Sequence, residues 1–382
     1  MASPQRTPFA ARLERARLVG DPPADRLVEA FRDLPGGAGW AQLDEALAGG
    51  APRDAPPELA ALLDPLRRAP DWLDPDLVDE GAVAFWRVGS PVLFLALTYG
   101  SLAFGYQSAA LVRPLAATGR LERMAPRRLA ETMRWAVAVT APGGLRVGSR
   151  GWQSTVRVRM VHALVRDHLR RSGDWRAEWG MPISAADGFA TAIGGFYVIP
   201  CRAMGDLGVR FSPREDRAVA HLWRWVGHLM GVPGDLLPDS PEQARAWVDE
   251  AVGLDAGPTE DSPRLMRALL YHGLRLEEGL PGVVAGPVRA AGAHVMGGFA
   301  RRWLGEDMAD RLEVPGGTLA RLVPLLRPAA WARDAVRATG VLGPDERIAR
   351  AELAMARWVL SARGARGPLR PERVPPPAAR AA

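Results

Sequence analysis

The chain has 382 residues, 48% of them hydrophobic and 24% charged, enough to bury a sizeable core in one large helical domain or in two or three smaller ones. Its formal net charge of +6 comes wholly from arginine, there being no lysine and no asparagine, and the arginines are spread among Asp and Glu through nearly every segment. That distribution matches GC-rich bacterial coding and argues against a dedicated phosphate-binding face, so no nucleic-acid partner is expected. Cys201 is the only cysteine, so an intramolecular disulfide framework is excluded and a reducing compartment fits; following Ile199-Pro200, it reads as a small buried hydrophobe.

Residues 1–21 hold no apolar run of signal-peptide length and no twin arginine, so the expected location is the cytoplasm. Up to residue 70 the pattern predicts short helices at Arg12–Leu18, Asp25–Leu34 and Gln42–Ala48, broken by Asp-Pro-Pro and Pro-Gly-Gly, and therefore a peripheral cap. Asp71, Asp74, Asp76, Asp79 and Glu80 follow. Aspartate-rich helices hold magnesium and a diphosphate in isoprenoid synthases, but no second such motif appears, and a helix N-terminus whose dipole favours acidic residues is the simpler reading. Val88 to Val112 carries no charge, which is the length of a membrane span. Ser, Thr, Gly, Gln and Pro dot it, and Arg87 and Arg113 bracket it symmetrically, so it reads as a buried helix, with at most peripheral membrane contact.

A helix is predicted from Pro126 to the Pro142-Gly143-Gly144 stop, and a second from Ser149–Gln153 to Arg171. In the second, Val158, Val161, Val165 and Leu169 recur at helical spacing, and His162 sits beside that stripe, facing inward. A short turn makes the two helices antiparallel. A fold about residue 146 or 147 sets Thr132 level with residues 160–162, with Arg128 one turn further on the same face. A cation, a hydroxyl and an imidazole around one apolar gap each need a polar partner, and a bound cofactor supplies it.

Beyond the hairpin, Ser184-x-x-Asp187 and Ser212-x-x-Glu215 read as capping boxes. His221 and His228 share a helix face; a zinc pair would need a carboxylate and a different spacing, which leaves ordinary hydrogen-bonded histidines as the reading. Further helices are expected at Arg264–Glu278, Val288–Leu304, Leu319–Leu326 and Asp345–Ala362, and the tail from Gly364 is expected to be disordered. Rossmann, Walker and nucleophile-elbow patterns are absent from the sequence.

Arg128-Leu129-Ala130-Glu131-Thr132, an R-x-x-x-T motif, is followed by His162 thirty-four residues after its arginine, and later by Trp223-Arg224-Trp225-Val226-Gly227 and Gly231-Val232-Pro233. Together these resemble the haem-dependent oxygenases that include the latex-clearing proteins and MpaB, over roughly residues 80 to 300. The resemblance implies an all-α fold, a b-type haem whose iron is ligated by His162, and pocket positions for Arg128 and Thr132. Arg159 and Arg166, near His162 on the helix, are the candidates for pairing with the propionates, or else are solvated helix arginines. Latex-clearing members often carry a lysine where this chain has Glu131, which implies an iron that is pentacoordinate or water-bound. The absent export signal argues against an extracellular polymer as substrate.

The resulting expectation is one large single-core helical domain enclosing a haem b. Residues 1–70 form an N-terminal cap, 71–310 the catalytic domain, 311–363 C-terminal helices packed on it and 364–382 the tail. Its partners would be O2 and a small apolar substrate, isoprenoid or olefinic. A haem sensor or carrier without turnover, and a helical binding protein without haem, remain as the other readings.

Overall fold

Short polar side chains start most of the helices. In the computed structural model Thr7, Asp21, Asp74, Ser149, Ser184, Ser212 and Ser240 each accept from a backbone N–H of the first turn, and proline often stands just inside, where its missing donor costs nothing. Both predicted capping boxes form in full. The structure describes residues 7–117, 121–273 and 281–362, and among them there is no strand.

The N-terminal helices are α1 (Pro8–Ala16), α2 (Pro22–Arg32), α3 (Ala38–Leu47) and α4 (Pro57–Arg67). They share in the single core: Phe9, Leu27, Leu43 and Leu62 belong to the same buried cluster as the central helices. The long uncharged run is broken. α5 (Pro75–Arg87) ends at Gly89, whose φ of +101° suits only glycine, and the chain turns by 93° into α6 (Ser90–Leu95), a π-helical segment (Ala96–Leu102) and α7 (Ala103–Gly105). No single helix among the described residues is long and apolar enough to cross a membrane.

After α8 (Ala109–Ala117), α9 runs from Leu121 to Val139, starting five residues earlier than Pro126 suggested, and α10 spans Arg150–Ser172 as expected. α11 (Ala185–Phe189) continues through a second π-helical segment (Ala190–Val198) into α12 (Ile199–Asp206). Then come α13 (Pro213–Leu229), α14 (Pro241–Gly253), α15 (Ser262–His272), α16 (Gly282–Leu304), α17 (Glu306–Arg311), α18 (Gly317–Ala320), α19 (Arg327–Ala338) and α20 (Asp345–Ala362). α4, α14, α17, α19 and the π segments were not anticipated. The end of the expected Arg264–Glu278 helix and the tail from Gly364 fall outside the described residues.

The main core gathers α1–α5, α9, α10, the second π segment, α13 and α20 around Phe85, Trp86, Trp152, Phe189 and Trp223. A second cluster joins Tyr99 and Tyr106 to Leu265, Met266 and Ala300, and Leu129 of α9 packs against both. α9 therefore lies at the junction of the two apolar clusters, and the helix opposite it is α10.

Candidate functional site: the α9–α10 hairpin

The loop between α9 and α10 is pinned from two sides. Asp79 of α5 accepts from the Gly143 N–H (2.6 Å) and from Arg146 (2.8 Å), and the Trp225 indole of α13 donates to the Leu145 carbonyl (3.3 Å). The Gly144 carbonyl accepts from Trp152 N–H (3.0 Å) and the Ser149 hydroxyl (2.5 Å). Gly151 touches the other helix with its backbone: a Cβ there would lie 2.5 Å from the Ala138 carbonyl and collide with that of Gly144. Only glycine allows so close an approach at the base of the hairpin.

The register is set by Trp135, whose indole donates to the Thr155 hydroxyl (3.1 Å), itself donating to the Gly151 carbonyl (2.8 Å). Two turns from Trp135 toward the start of α9 lies Arg128, and two turns from Thr155 toward the end of α10 lies His162, each about 10 Å along its helix. Arg128 is thus level with His162, and Thr132 is level with Val158. The expected register had Thr132 level with residues 160–162; the close contact at Gly151 moves the pivot back toward Gly144 and shifts the pairing by roughly half a turn to one turn. On α9, Arg128, Thr132 and Trp135 share the stripe that faces α10. Trp135 also meets Phe196 of the second π segment edge-on (ring centroids 4.9 Å), and Phe196 stacks on Trp223 (5.3 Å), so aromatic rings wall the hairpin on one side.

His162 lies deep in the bundle yet keeps part of its surface accessible. Burial, and then the neighbouring Arg166 charge, push its pKa down to about 4 against a weaker opposing pull from Asp21. The imidazole is neutral at physiological pH. Among the described residues no group hydrogen-bonds to it, so the carbonyl or carboxylate expected behind a ligating histidine is not in contact. A neutral, enclosed ring with an unengaged lone pair is the form that binds a transition metal.

Arg128 and Thr132 are half-buried, whereas Arg127 is exposed and pairs with Glu131 (2.9 Å) on the outer side. The acid at the lysine position is therefore tied to an outward arginine. A buried hydroxyl that sequence reasoning missed lies near this stripe: burial raises the Tyr106 phenol above its usual range while the Arg128 charge opposes the shift. Tyr106 sits in the polar-dotted run, and nothing in its sequence neighbourhood separates it from the other aromatic residues there.

Arg159 and Arg166 have a different employment from the one expected. Arg159, 7% exposed, forms a two-pronged pair with Asp21, the N-cap of α2 (2.5 and 2.8 Å), and donates to the Leu229 carbonyl (3.4 Å). Arg166, 2% exposed, binds Asp25 (2.8 Å) and the Ile183 carbonyl (2.5 Å). Both guanidinium groups are occupied in fastening α2 to α10 and are not held ready for an acidic ligand. The signal was present as two aspartates flanking Pro22-Pro23, but a distant pairing cannot be read from spacing.

His221 and His228 are not brought toward His162. They flank Trp72 edge-on (5.7 and 5.9 Å), His221 Nε2 accepts from the Asp74 N–H (2.9 Å), and His228 stacks on Trp225 (5.2 Å). Burial first, then nearby arginines, lower both pKa values. No group of three or more His, Cys, Asp or Glu able to hold a metal occurs among the described residues. Cys201 is held protonated by burial, as a small core residue would be.

The fold and hairpin define an all-α protein in which an arginine–threonine stripe faces a neutral histidine. The chain belongs to the family of oxygenase catalytic domains described as ER-bound oxygenase mpaB/B'/rubber oxygenase, whose model matches residues 86–338. It is 28% identical over 289 residues to the rubber oxygenase of Streptomyces sp. (strain K30), covering 72% of this chain and 63% of that protein. It is also 27% identical over 208 residues to a copalyl diphosphate synthase of Streptomyces cyslabdanicus, covering 51% of this chain and 34% of that one. The chain thus spans less than two thirds of either curated relative. The structure of latex clearing protein in its closed state superposes with a TM-score of 0.57 at 21% identity, covering 89% of this chain and 91% of that one, which establishes the shared helical fold.

Proposed function

We propose that this protein is a b-type haem oxygenase that acts with O2 on an apolar substrate, isoprenoid or olefinic in kind, and that His162 is the residue that would hold the haem iron. The observation that carries this reading is the state of His162: enclosed, neutral and without a hydrogen-bond partner among the described residues, on a helix whose facing stripe carries Arg128 and Thr132. Membership of an oxygenase family supplies the reaction class. The donor set fits the group, since one imidazole on a rigid helix suffices to hold haem iron.

When bound, the haem would supply O2 binding and activation. The chain's own residues have separate tasks. α10 holds the His162 lone pair available by keeping the ring unprotonated. Arg128 brings a positive charge and several N–H donors level with that ring, suited to stabilising negative charge as it develops on oxygen or substrate. Thr132, one turn away, offers a hydroxyl that can pass or hold a proton. The Trp135–Phe196–Trp223 wall keeps water from one side. Glu131, bound to Arg127, supplies no amine to coordinate the iron. Propionate partners must come from groups other than Arg159 and Arg166. The cytoplasm is the compartment that goes with this reading, as the lone thiol of Cys201 suits a reducing environment.

An absorption spectrum of the purified chain, followed by O2 consumption by its ferrous form with and without an alkene, tests the proposal. A haem spectrum with alkene-dependent O2 uptake is expected. A haem spectrum without O2 uptake for any alkene would make the protein a carrier or sensor, and a colourless protein that takes up no added haem would end the proposal.

A further inference from the structure

The C-terminal helix α20 has two apolar faces, and only one of them is covered. Ala349, Leu353, Ala356 and Leu360 are buried in the main core, where α20 packs on α5. On the opposite side Ala351, Met355 and Trp358 follow one another at four- and three-residue spacing, and Met355 and Trp358 are 51% and 67% exposed. Arginines on the adjoining C-terminal segments are matched: Arg333 meets Glu352, and Arg337 meets Asp334 and Asp345. Arg347, Arg350 and Arg357 of α20 are different. All three are exposed beside the bare apolar row, and no carboxylate among the described residues lies within 4.0 Å of any of them. Arg350 reaches only the Glu346 carbonyl (3.2 Å). Beyond Glu346 the one acid of the helix, Glu352, is turned inward onto Ser90 (2.8 Å). The sequence after Ala362 continues in the same sense, with Arg363, Arg366, Arg370, Arg373 and Arg380 against Glu372 alone.

An unpaired row of cations bordering an exposed tryptophan and methionine is the composition of a helix that lies in a lipid headgroup layer. We propose that α20 docks the protein peripherally on an anionic lipid surface. Trp358 and Met355 enter the headgroup boundary, while Arg347, Arg350 and Arg357 meet lipid phosphates. The charge pattern selects this occupant: a protein partner would need a shaped counter-surface for the two apolar side chains, whereas a lipid layer accepts them as they stand and is attracted by every unpaired arginine. The helix lies beyond the residues matched by the oxygenase family model, so the proposal concerns this chain and not the shared domain.

The full chain is tested by co-sedimentation with phosphatidylcholine vesicles and with equimolar phosphatidylcholine–phosphatidylglycerol vesicles. Sedimentation with the mixed vesicles at low salt, little with phosphatidylcholine alone, and release by added salt are expected. Each arginine near an anionic surface contributes roughly fivefold to partitioning, so Arg347→Gln/Arg350→Gln/Arg357→Gln should lower it on the order of 10²-fold. Met355→Ser/Trp358→Ser should weaken it as well. Both variants alter exposed side chains and should keep the wild-type melting temperature, which separates loss of binding from loss of fold. Failure of the wild type to sediment with either vesicle, or equal sedimentation of wild type and both variants, would overturn the proposal. Tight binding of an oligonucleotide lost in the arginine variant but untouched by Met355→Ser/Trp358→Ser would assign the face to nucleic acid instead.

Discussion

Replacing His162 by alanine removes the imidazole that stands level with Arg128, and the variant is expected to lose the haem absorption band on purification. His221→Ala and His228→Ala, which act around Trp72, should retain it. A wild-type spectrum from His162→Ala would place the ligand elsewhere. The same ring gives a pH signature in the haem-free protein. Its folded pKa of about 4 lies below the ordinary 6.5, so on acidification the unfolded chain takes a proton that the folded chain refuses. Above pH 6.5 the two states agree; between 6.5 and 4 stability falls, by about 3 kcal/mol over the window. Urea unfolding of His162→Leu should lack this component, and an identical pH slope in the two proteins would contradict it. For turnover, Arg128→Ala is expected to cost ~10²–10³ in rate with little change in melting temperature, and Thr132→Val less. Arg127→Ala serves as the internal control, because Arg127 points outward to Glu131. Equal losses from Arg127→Ala and Arg128→Ala would mean that the stripe is misassigned.

At the level of elements, the hairpin was legible in sequence because its signals are local: an apolar stripe at helical period, a Ser149 cap, and a Pro-Gly-Gly stop. Its register was not, since the deciding contacts are a single indole–hydroxyl bond between Trp135 and Thr155 and a glycine close approach, neither of which has a periodic signature. Arg159 and Arg166 were misjudged for a related reason. Sequence displays their charge and their position on α10, while the aspartates that neutralise them arrive from α2, more than a hundred residues earlier. α19 escaped detection because none of its residues is buried, so no apolar stripe announced it. The buried Arg159–Asp21 pair carries a prediction of its own. Asp21→Ala strands a guanidinium in the core and should cost roughly 3–5 kcal/mol in urea unfolding, whereas Arg159→Met together with Asp21→Leu should restore much of the loss. Additive losses in the double variant would show that the pair does not act as a unit.

For the molecule as a whole, the all-α class followed from the resemblance carried by Arg128, Thr132 and His162, and the inward packing of the uncharged 88–112 run from the polar residues scattered through it. The single core was expected as well; how far α1–α4 share in it was not legible, because that depends on which apolar faces meet. With its apolar run bent by 93° and folded inward, the chain is expected in the aqueous fraction without detergent, and any membrane-associated portion should leave in a carbonate wash. Material that only detergent releases would mean that the run is inserted in lipid.

The two π-helical segments bear on how this chain can change length. Each lies inside a longer continuous helix, Ser90–Gly105 and Ala185–Asp206, and the two touch where the Ser101 hydroxyl donates to the Gly195 carbonyl. A π turn closes its hydrogen bond one residue later than an α turn, so it stores an extra residue without rotating the helix on either side. Loss of one residue within Ala96–Leu102 or Ala190–Val198 can relax that turn to α and leave the flanking faces aligned, while the same loss in α9 or α10 would swing every side chain beyond it by about 100°. The π turns are thus places where the loss of one residue leaves the faces of this bundle aligned, and the helices carrying Arg128 and His162 are places where it would not.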